Sequence, residues 1–237
     1  MKFTSPLIEG RLIRRYKRFL ADIELATGEL ITAHCANSGS MRGLTTEGAR
    51  VYVAHSPDPN RKLAYTWEII EGCEDANQGL LVGINTSHPN KIVQEALESD
   101  LIPELSDFAT LKREVKYGIN SRIDVLLTGA NGKLTYVEVK NVHLMREKGL
   151  AEFPDSVTER GTKHLHELAN MVSQGHRAVM VYLIQMEAHD FTLASDIDPV
   201  YARTFHEVRS KGVEALAYTC NVTPQSIALH QKVPIII

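Results

Sequence analysis

The sequence predicts two successive domains, an all-β domain over residues 1–85 and a mixed α/β domain over residues 86–237. In the first 85 residues, five or six short strand-like segments are separated by turn residues. From about residue 108, strand-like and helix-like segments alternate. So many short strands in so short a chain favour a closed sheet, and we expect a small barrel of the OB type.

Turn signals bound each predicted strand of the first domain, at Thr27-Gly28, 37–39, 56–59 and Gly72. The predicted strands cover residues 7–16, 19–25, 30–33, 50–53, 63–70 and 80–84. A helix over 89–99 then has apolar residues on one stripe, with Pro89 in its first turn. We expect this helix and residues 100–107 to bridge the two domains.

The second domain is predicted to run strand, strand, helix, strand. The paired strands cover 122–127 and 133–142, with a turn at 129–132. A capping-box pattern at 156–159 opens a helix that Gly175 ends. The apolar run 178–186 is typical of a buried strand, and Asp198-Pro199 opens a helix ending at Gly212. Segments 213–218 and 227–233 read as late strands rather than a helix-turn-helix, because Pro224 would break a recognition helix.

Composition limits the classes of function. The chain has 237 residues, 43% hydrophobic and 23% charged, as in globular proteins. Its net charge of −3 argues against a strongly basic nucleic-acid binder but leaves room for a local basic patch. Three widely separated cysteines, no apolar run of membrane-spanning length and no signal-peptide core at the N-terminus predict a cytoplasmic protein without a membrane partner.

Three polar residues on the paired strands carry the main chemical signal. Asp124 lies on the first strand, and Glu138 and Lys140 lie two residues apart on the second. Side chains alternate along a strand, so Glu138 and Lys140 share one face. Two carboxylates can bind a hard cation such as Mg²⁺ or Mn²⁺, and the ammonium can orient water or offset charge on a phosphate. This arrangement predicts a metal-dependent nuclease site with Asp124 and Glu138 as metal ligands.

An alternating, solvated strand face would give the same spacing by chance. The apolar neighbours of Asp124 and Glu138 favour the functional interpretation, because a charge embedded in an apolar strand needs a partner or a metal. Glu114, ten residues before Asp124, is a candidate third carboxylate, although an exposed charge on a strand or short helix explains it nearly as well.

Two groups of cations are candidate DNA ligands. One lies in the first predicted hairpin, with Tyr16 and Phe19 interleaved, and comprises Arg11, Arg14, Arg15, Lys17 and Arg18. The other, Arg160 and Lys163, opens the helix after the paired strands, where a helix N-terminus favours anions. An ordinary basic hairpin and a polar helix face are the plain alternatives. His164 taken alone indicates a surface residue, and the loop 34–43 either holds phosphate or simply turns the chain.

Several segments together resemble the sugar fermentation stimulation protein A family. They are AHCANSGSM at 33–41, RKLAYT at 61–66, GINT at 83–86, REVKYG at 113–118, VEVKNV at 137–142 and residues 153–165. The resemblance covers about residues 3–230. It implies an OB-like domain followed by a PD-(D/E)xK nuclease-like domain, non-specific DNA binding and a regulatory link to sugar (maltose) metabolism. The nuclease motif then falls on Asp124, Glu138 and Lys140, with Glu114 as the additional acid.

The leading hypothesis is therefore a cytoplasmic, sequence-independent DNA-binding protein with a retained Mg²⁺- or Mn²⁺-dependent site for phosphodiester hydrolysis, as an endo- or exonuclease. The main alternative is a non-catalytic DNA-binding transcriptional regulator that keeps the acidic cluster as a relic. A sugar or nucleotide sensor using the barrel is a third. The sequence leaves open whether the protein forms a homodimer.

Overall fold

The chain begins with a barrel whose strands alternate between buried and exposed side chains. The computed structural model describes residues 1–118 and 121–236. Its first strands are β1 (Ile8–Tyr16), β2 (Leu20–Leu25), β3 (Leu30–Cys35), β4 (Arg50–His55), β5 (Tyr65–Glu71) and β6 (Leu81–Gly83). Strands β1 to β5 close in the order β1-β2-β3-β5-β4, because β3 pairs in parallel with β5 and β4 pairs with β1. The OB-type barrel is confirmed.

A helix and a short 3₁₀ turn lead from the barrel to the second domain. Helix α1 (Pro89–Glu98) turns Ile92, Val93, Ala96 and Leu97 inward, as the apolar stripe predicted. The 3₁₀ turn is Pro103–Leu105.

The second domain is built on a mixed six-stranded sheet. Its strands are β7 (Thr110–Tyr117), β8 (Ser121–Thr128), β9 (Leu134–Val142), β12 (Arg177–Ile184), β14 (Glu214–Val222) and β15 (Ile227–Lys232), in the order β15-β14-β12-β9-β8-β7. A smaller sheet holds β10 (Leu144–Glu147), β11 (Leu150–Phe153), β13 (Asp190–Leu193) and β16 (Ile235–Ile236). Helices α2 (Glu159–Ser173) and α3 (Pro199–Ser210) follow β11 and β13.

Both faces of the main sheet are covered. One apolar cluster joins α1 to inward residues of β8, β9, β12 and β14, including Val137 and Val139. The other joins the barrel interior to α2, α3 and the opposite sheet face, including Tyr182 and Leu165. The alternation of β9 therefore sends Val137 and Val139 toward α1, and Glu138 contacts His164 on α2. No helix in the part of the chain that is described is long and apolar enough to cross a membrane.

The N-cap of α2 differs from the sequence prediction, and the N-cap of α3 agrees with it. The capping box at 156–159 placed the N-cap at Ser156, but Thr158 is the cap, and its Oγ1 accepts a hydrogen bond from Gly161 N at 3.1 Å. Asp198 caps α3 as predicted and accepts from Tyr201 N at 2.9 Å. Its other oxygen accepts from Thr158 N at 2.8 Å, so one buried carboxylate fixes the starts of both helices.

Candidate functional site

Asp124 and Glu138 lie on adjacent strands. The register pairs Val125 with Val137, the neighbours of the two acids. Asp124 Oδ2 accepts a hydrogen bond from Val139 N at 2.8 Å, and Oδ1 accepts from Asn90 Nδ2 at 2.7 Å. The main chain of β9 and the first turn of α1 therefore orient the Asp124 carboxylate.

Glu138 is 2% exposed and shares one oxygen between two partners. Lys140 Nζ donates to Glu138 Oε1 at 2.8 Å, and His164 Nδ1 makes a short contact with the same oxygen. Lys140 Nζ also lies 3.3 Å from His164 Nδ1, and Arg160 Nε lies 3.4 Å from His164 Nε2. The sequence placed His164 on the surface. In the structure it is buried against Glu138 and Lys140, because α2 packs on this face of the sheet.

The pKa values of Asp124 and Glu138 shift in opposite directions. Burial raises the pKa of Asp124 to about 6, and the negative charge of Glu138 adds to the rise. Burial also opposes ionisation of Glu138, but the Lys140 ammonium and the His164 ring hold the pKa of Glu138 below its ordinary value. The site thus keeps Glu138 charged, while Asp124 lacks a cation that would fully offset its charge.

The carboxylates of the site match the ligand type that a divalent cation needs. Within residues 1–118 and 121–236, no three His, Cys, Asp or Glu side chains already surround a common point. However, Glu138 Oε2 is buried and has no hydrogen-bond partner among those residues, and the half-buried Asp124 carboxylate lies near the negative charge of Glu138. Carboxylate oxygens are the ligands that Mg²⁺ and Mn²⁺ take, so the residues present fit such an ion.

Further acidic and hydroxyl groups lie close to the pair. Burial raises the pKa of Tyr117, and the negative charges of Glu138, Glu167 and Asp124 add to the rise. Glu167, on α2, is buried and approaches Gly118 so closely that a Cβ there would overlap its carboxylate. Sequence reasoning missed Glu167, because its spacing on α2 resembles that of any polar helix residue.

Glu114 lies on strand β7, which resolves the earlier ambiguity between strand and short helix. The register skips this residue, since Arg113 pairs with Val125 and Val115 with Ile123, so Glu114 lies beside Asp124. Its side chain is exposed, and its φ of 53° is unusual for a non-glycine residue. Asn90 Nδ2 bridges the two acids, at 3.4 Å from Glu114 Oε1.

The cations of the first hairpin differ in their exposure and in whether other residues already bind them. Lys17 and Arg18 form the exposed tip, both with positive φ, and Arg11 is exposed with one bond to Gly48 O. Arg14 pairs with Asp22 at 2.9 Å and lies over the Tyr16 ring. Arg15 instead donates to the carbonyls of Asn37, Gly39 and Ser40, at 2.9, 3.0 and 3.3 Å. Arg15 therefore holds the loop after β3 in shape.

A cleft of about 420 Å³ separates this loop from the second domain. Arg18, Ser38 and Gly39 line its barrel side, and Lys140 and residues 153–158 line the other. The Lys140 ammonium thus belongs both to the Glu138 cluster and to the cleft wall. Arg160 and Lys163 are exposed in the first turns of α2, at its N-terminal end after the cap Thr158.

The fold and site together define an OB barrel joined to a mixed α/β domain that carries a cluster of carboxylates and an ammonium. The profile of a family described as "SfsA N-terminal OB domain" matches residues 13–84, and one described as "Sugar fermentation stimulation protein RE domain" matches residues 87–226. The chain belongs to the sugar fermentation stimulation protein family.

Relatives match this chain over nearly their full length. A sugar fermentation stimulation protein homolog of Rhodospirillum centenum is 55% identical over 230 residues, 97% of each chain. One of Maricaulis maris is 51% identical over 232 residues, 98% of this chain and 97% of that one. The solved structure of Pyrococcus furiosus SfsA in complex with Ca²⁺ is 26% identical, with a TM-score of 0.87 over 100% of this chain and 98% of that one.

Proposed function

We propose that this protein binds DNA largely without regard to sequence and hydrolyses phosphodiester bonds with the help of a divalent cation. The observation that carries this proposal is a pair of carboxylates on adjacent strands, Glu138 buried and Asp124 half-buried, with an ammonium beside them. The unpartnered Oε2 of Glu138 supplies a ligand atom that nothing else in the described chain uses. Residues 1–85 would supply DNA binding, and residues 86–237 the reaction.

Each site residue has a distinct role in this proposal. Asp124 and Glu138 would hold Mg²⁺ or Mn²⁺, and the chemistry such an ion would supply is activation of water and neutralisation of phosphate charge. Lys140 offsets negative charge developing on the phosphate, and Glu114 assists as an outer carboxylate. Asn90 and His164 position Asp124 and Glu138 respectively. The Ca²⁺ complex of the Pyrococcus furiosus relative supports divalent-cation binding, since Ca²⁺ also takes oxygen ligands.

The exposed cations are the proposed DNA ligands. Six of the candidate cations are exposed: Arg11, Arg14, Lys17, Arg18, Arg160 and Lys163. Among them, Arg14 is partly neutralised by its ion pair with Asp22. We leave Arg15 out of this set, because its guanidinium is engaged by loop carbonyls. We assign the protein to the cytoplasm on its three free thiols, which suit a reducing compartment, and we relate its activity to sugar (maltose) metabolism through the family.

Replacing Lys140 by Ala tests the reaction. Wild type should cut DNA in Mn²⁺ or Mg²⁺, and Lys140→Ala should lose at least about a hundredfold in cleavage rate, because one preorganised cation near the phosphate is lost. DNA binding should change little, since a single phosphate contact is removed. Lys133→Ala, an exposed lysine just before β9, is the matched control and should cut normally.

A non-catalytic DNA-binding regulator is the second candidate. One observation favours it: the Lys140 ammonium and the His164 ring already engage one oxygen of Glu138, as in a structural ion pair. Absence of cleavage by wild type on single-stranded, linear duplex and structured DNA, with binding retained, would establish this candidate over the enzyme.

A further inference from the structure

The cleft beside Lys140 has the dimensions of a pocket rather than of a duplex-binding groove. Its volume of about 420 Å³ lies at the low end of the range of roughly 300–1,000 Å³ typical of small-molecule pockets. The major groove of B-DNA alone is about 12 Å wide, so a base-paired duplex is far larger than this space.

The barrel side of the cleft is fixed. Asp155, from the second domain, accepts from Met41 N at 3.0 Å and from Ser40 Oγ through its main-chain oxygen at 2.7 Å. His143 Nε2 lies 3.3 Å from the same carboxylate. Arg15 and the Asn37 side chain, which donates to Ile84 O at 2.9 Å, hold the loop from within the barrel. Opening the cleft to admit a duplex would break the bonds of Asp155 to Met41 N and Ser40 Oγ, which join the second domain to the barrel loop.

The lining combines cations with one aromatic ring and one exposed aliphatic side chain. Arg18 and Lys140 supply cations on opposite walls. Phe153, which packs against Tyr182 and Tyr201 at 5.6 and 5.2 Å between ring centroids, supplies an aromatic surface, and Val157 is exposed at 67%. Cations that follow a backbone and apolar rings that stack on bases are the combination that binds unpaired strands.

We infer that the strand to be cut enters this cleft unpaired, so that the substrate class is single-stranded DNA or the unpaired part of a branched or tailed duplex. This inference rests on the proposed function and narrows it. A fixed cleft of this size excludes base-paired DNA from Lys140, whereas the exposed cations outside it remain accessible to a neighbouring duplex.

The test compares three DNAs of one mixed sequence: a labelled single strand, the blunt duplex formed from it, and that duplex with an unpaired tail. Affinity is measured by fluorescence anisotropy in EDTA, and cleavage separately in Mn²⁺. The single strand and the tailed duplex should bind at least about tenfold more tightly than the blunt duplex. Cleavage should fall in the unpaired segment.

A charge placed in the cleft gives an independent check. Val157→Asp should weaken single-strand binding by about tenfold, because a carboxylate then faces the phosphates. Val200→Asp, at another exposed valine near a helix start (50% exposed), should bind like wild type. Both positions are exposed, so equal melting temperatures would show that folding is intact.

The outcomes separate this inference from the function beneath it. Equal binding and cleavage of blunt duplex and single strand, or an unaffected Val157→Asp variant, would refute the single-strand cleft and leave a nuclease. Failure to bind or cut any of the three DNAs would refute both.

Discussion

Asp124 combines partial burial, two hydrogen bonds and a nearby negative charge in one side chain. Its pKa of about 6 lies above its ordinary value of 3.8, so folding favours its protonated form. The stabilisation from that form is fully present below about pH 4 and is lost as the pH rises through 6. At neutral pH, the ionised carboxylate therefore destabilises the protein until a cation binds.

Replacing Asp124 by Asn should reveal this balance. In EDTA at about pH 7, Asp124→Asn should be more stable than wild type by about 2–3 kcal/mol, and the difference should vanish near pH 4. Adding excess Mg²⁺ or Mn²⁺ should raise the melting temperature of wild type only, because binding to the folded state alone stabilises it. Thermal unfolding measures both effects.

The exposed Asp107→Asn variant serves as the control and should respond to metal like wild type. An equal metal-induced shift in wild type and Asp124→Asn would contradict a metal site at this residue.

Individual residues differ in how far sequence could predict their position. Asp124 and Glu138 interrupt apolar strands, and such an interruption is visible in the sequence. Asn90, His164 and Glu167 are ordinary polar helix residues in sequence. Only the packing of α1 and α2 on the two sheet faces brings Asn90 and His164 to the site carboxylates and Glu167 to Gly118. Arg15 shows the converse, since its sequence context matches a DNA ligand while its geometry serves the loop.

At the scale of elements, apolar strands were predicted well and charged or short ones poorly. Strands β8, β9 and β12 were recognised from their apolar runs, and the late strands β14 and β15 replace the excluded helix-turn-helix. Strand β7 is mostly exposed, so its residues carry no clear alternation of apolar and polar side chains. Strands β10, β11, β13 and β16 are four residues or shorter, and only their mutual pairing defines them.

The link between barrel loop and second domain rests on Asp155. Its contacts with His143, Met41 N and Ser40 outweigh burial and hold the pKa of Asp155 well below its ordinary value of 3.8. A lowered pKa means that the stabilisation is present above pH 3.8 and is lost as the pH falls below it.

Asp155→Asn should therefore reduce the free energy of unfolding by about 1–3 kcal/mol near pH 7, because hydrogen bonds to a charged, largely buried acceptor are weakened. The deficit should shrink as the pH falls below 3.8. Urea unfolding near pH 7 and at a pH below 3.8 measures the difference in the free energy of unfolding between wild type and Asp155→Asn. The exposed Asp75→Asn is the control. A deficit that is the same at both pH values would contradict the charge-based account.

At the scale of the whole molecule, the sequence predicted the two architectures but not how they meet. The barrel follows from strand spacing and the α/β sheet from apolar runs. The cleft between them depends on bonds such as Met41 N to Asp155 Oδ2, between residues 114 positions apart, for which the sequence holds no local signal.

The net charge of −3 makes DNA binding depend on where cations lie, and this can be tested by salt. Affinity should fall steeply with salt on every DNA sequence, because bound cations release counterions from the phosphates. Replacing Lys17 and Arg18 together by Ser should lower affinity on all sequences and reduce the slope of log affinity against log salt by about one to two units. Anisotropy titrations at several salt concentrations measure that slope.

Arg15→Lys separates binding from loop support in the same experiment. Lysine keeps the charge but lacks the planar fork that reaches three carbonyls, so this variant should melt at a lower temperature while its salt slope stays near that of wild type. The Lys17/Arg18 variant should show the opposite pattern, since both side chains are exposed at the hairpin tip and support no loop. If the Lys17/Arg18 variant instead keeps the wild-type slope, the barrel hairpin does not contact the phosphates, and the cations of α2 must supply the salt dependence.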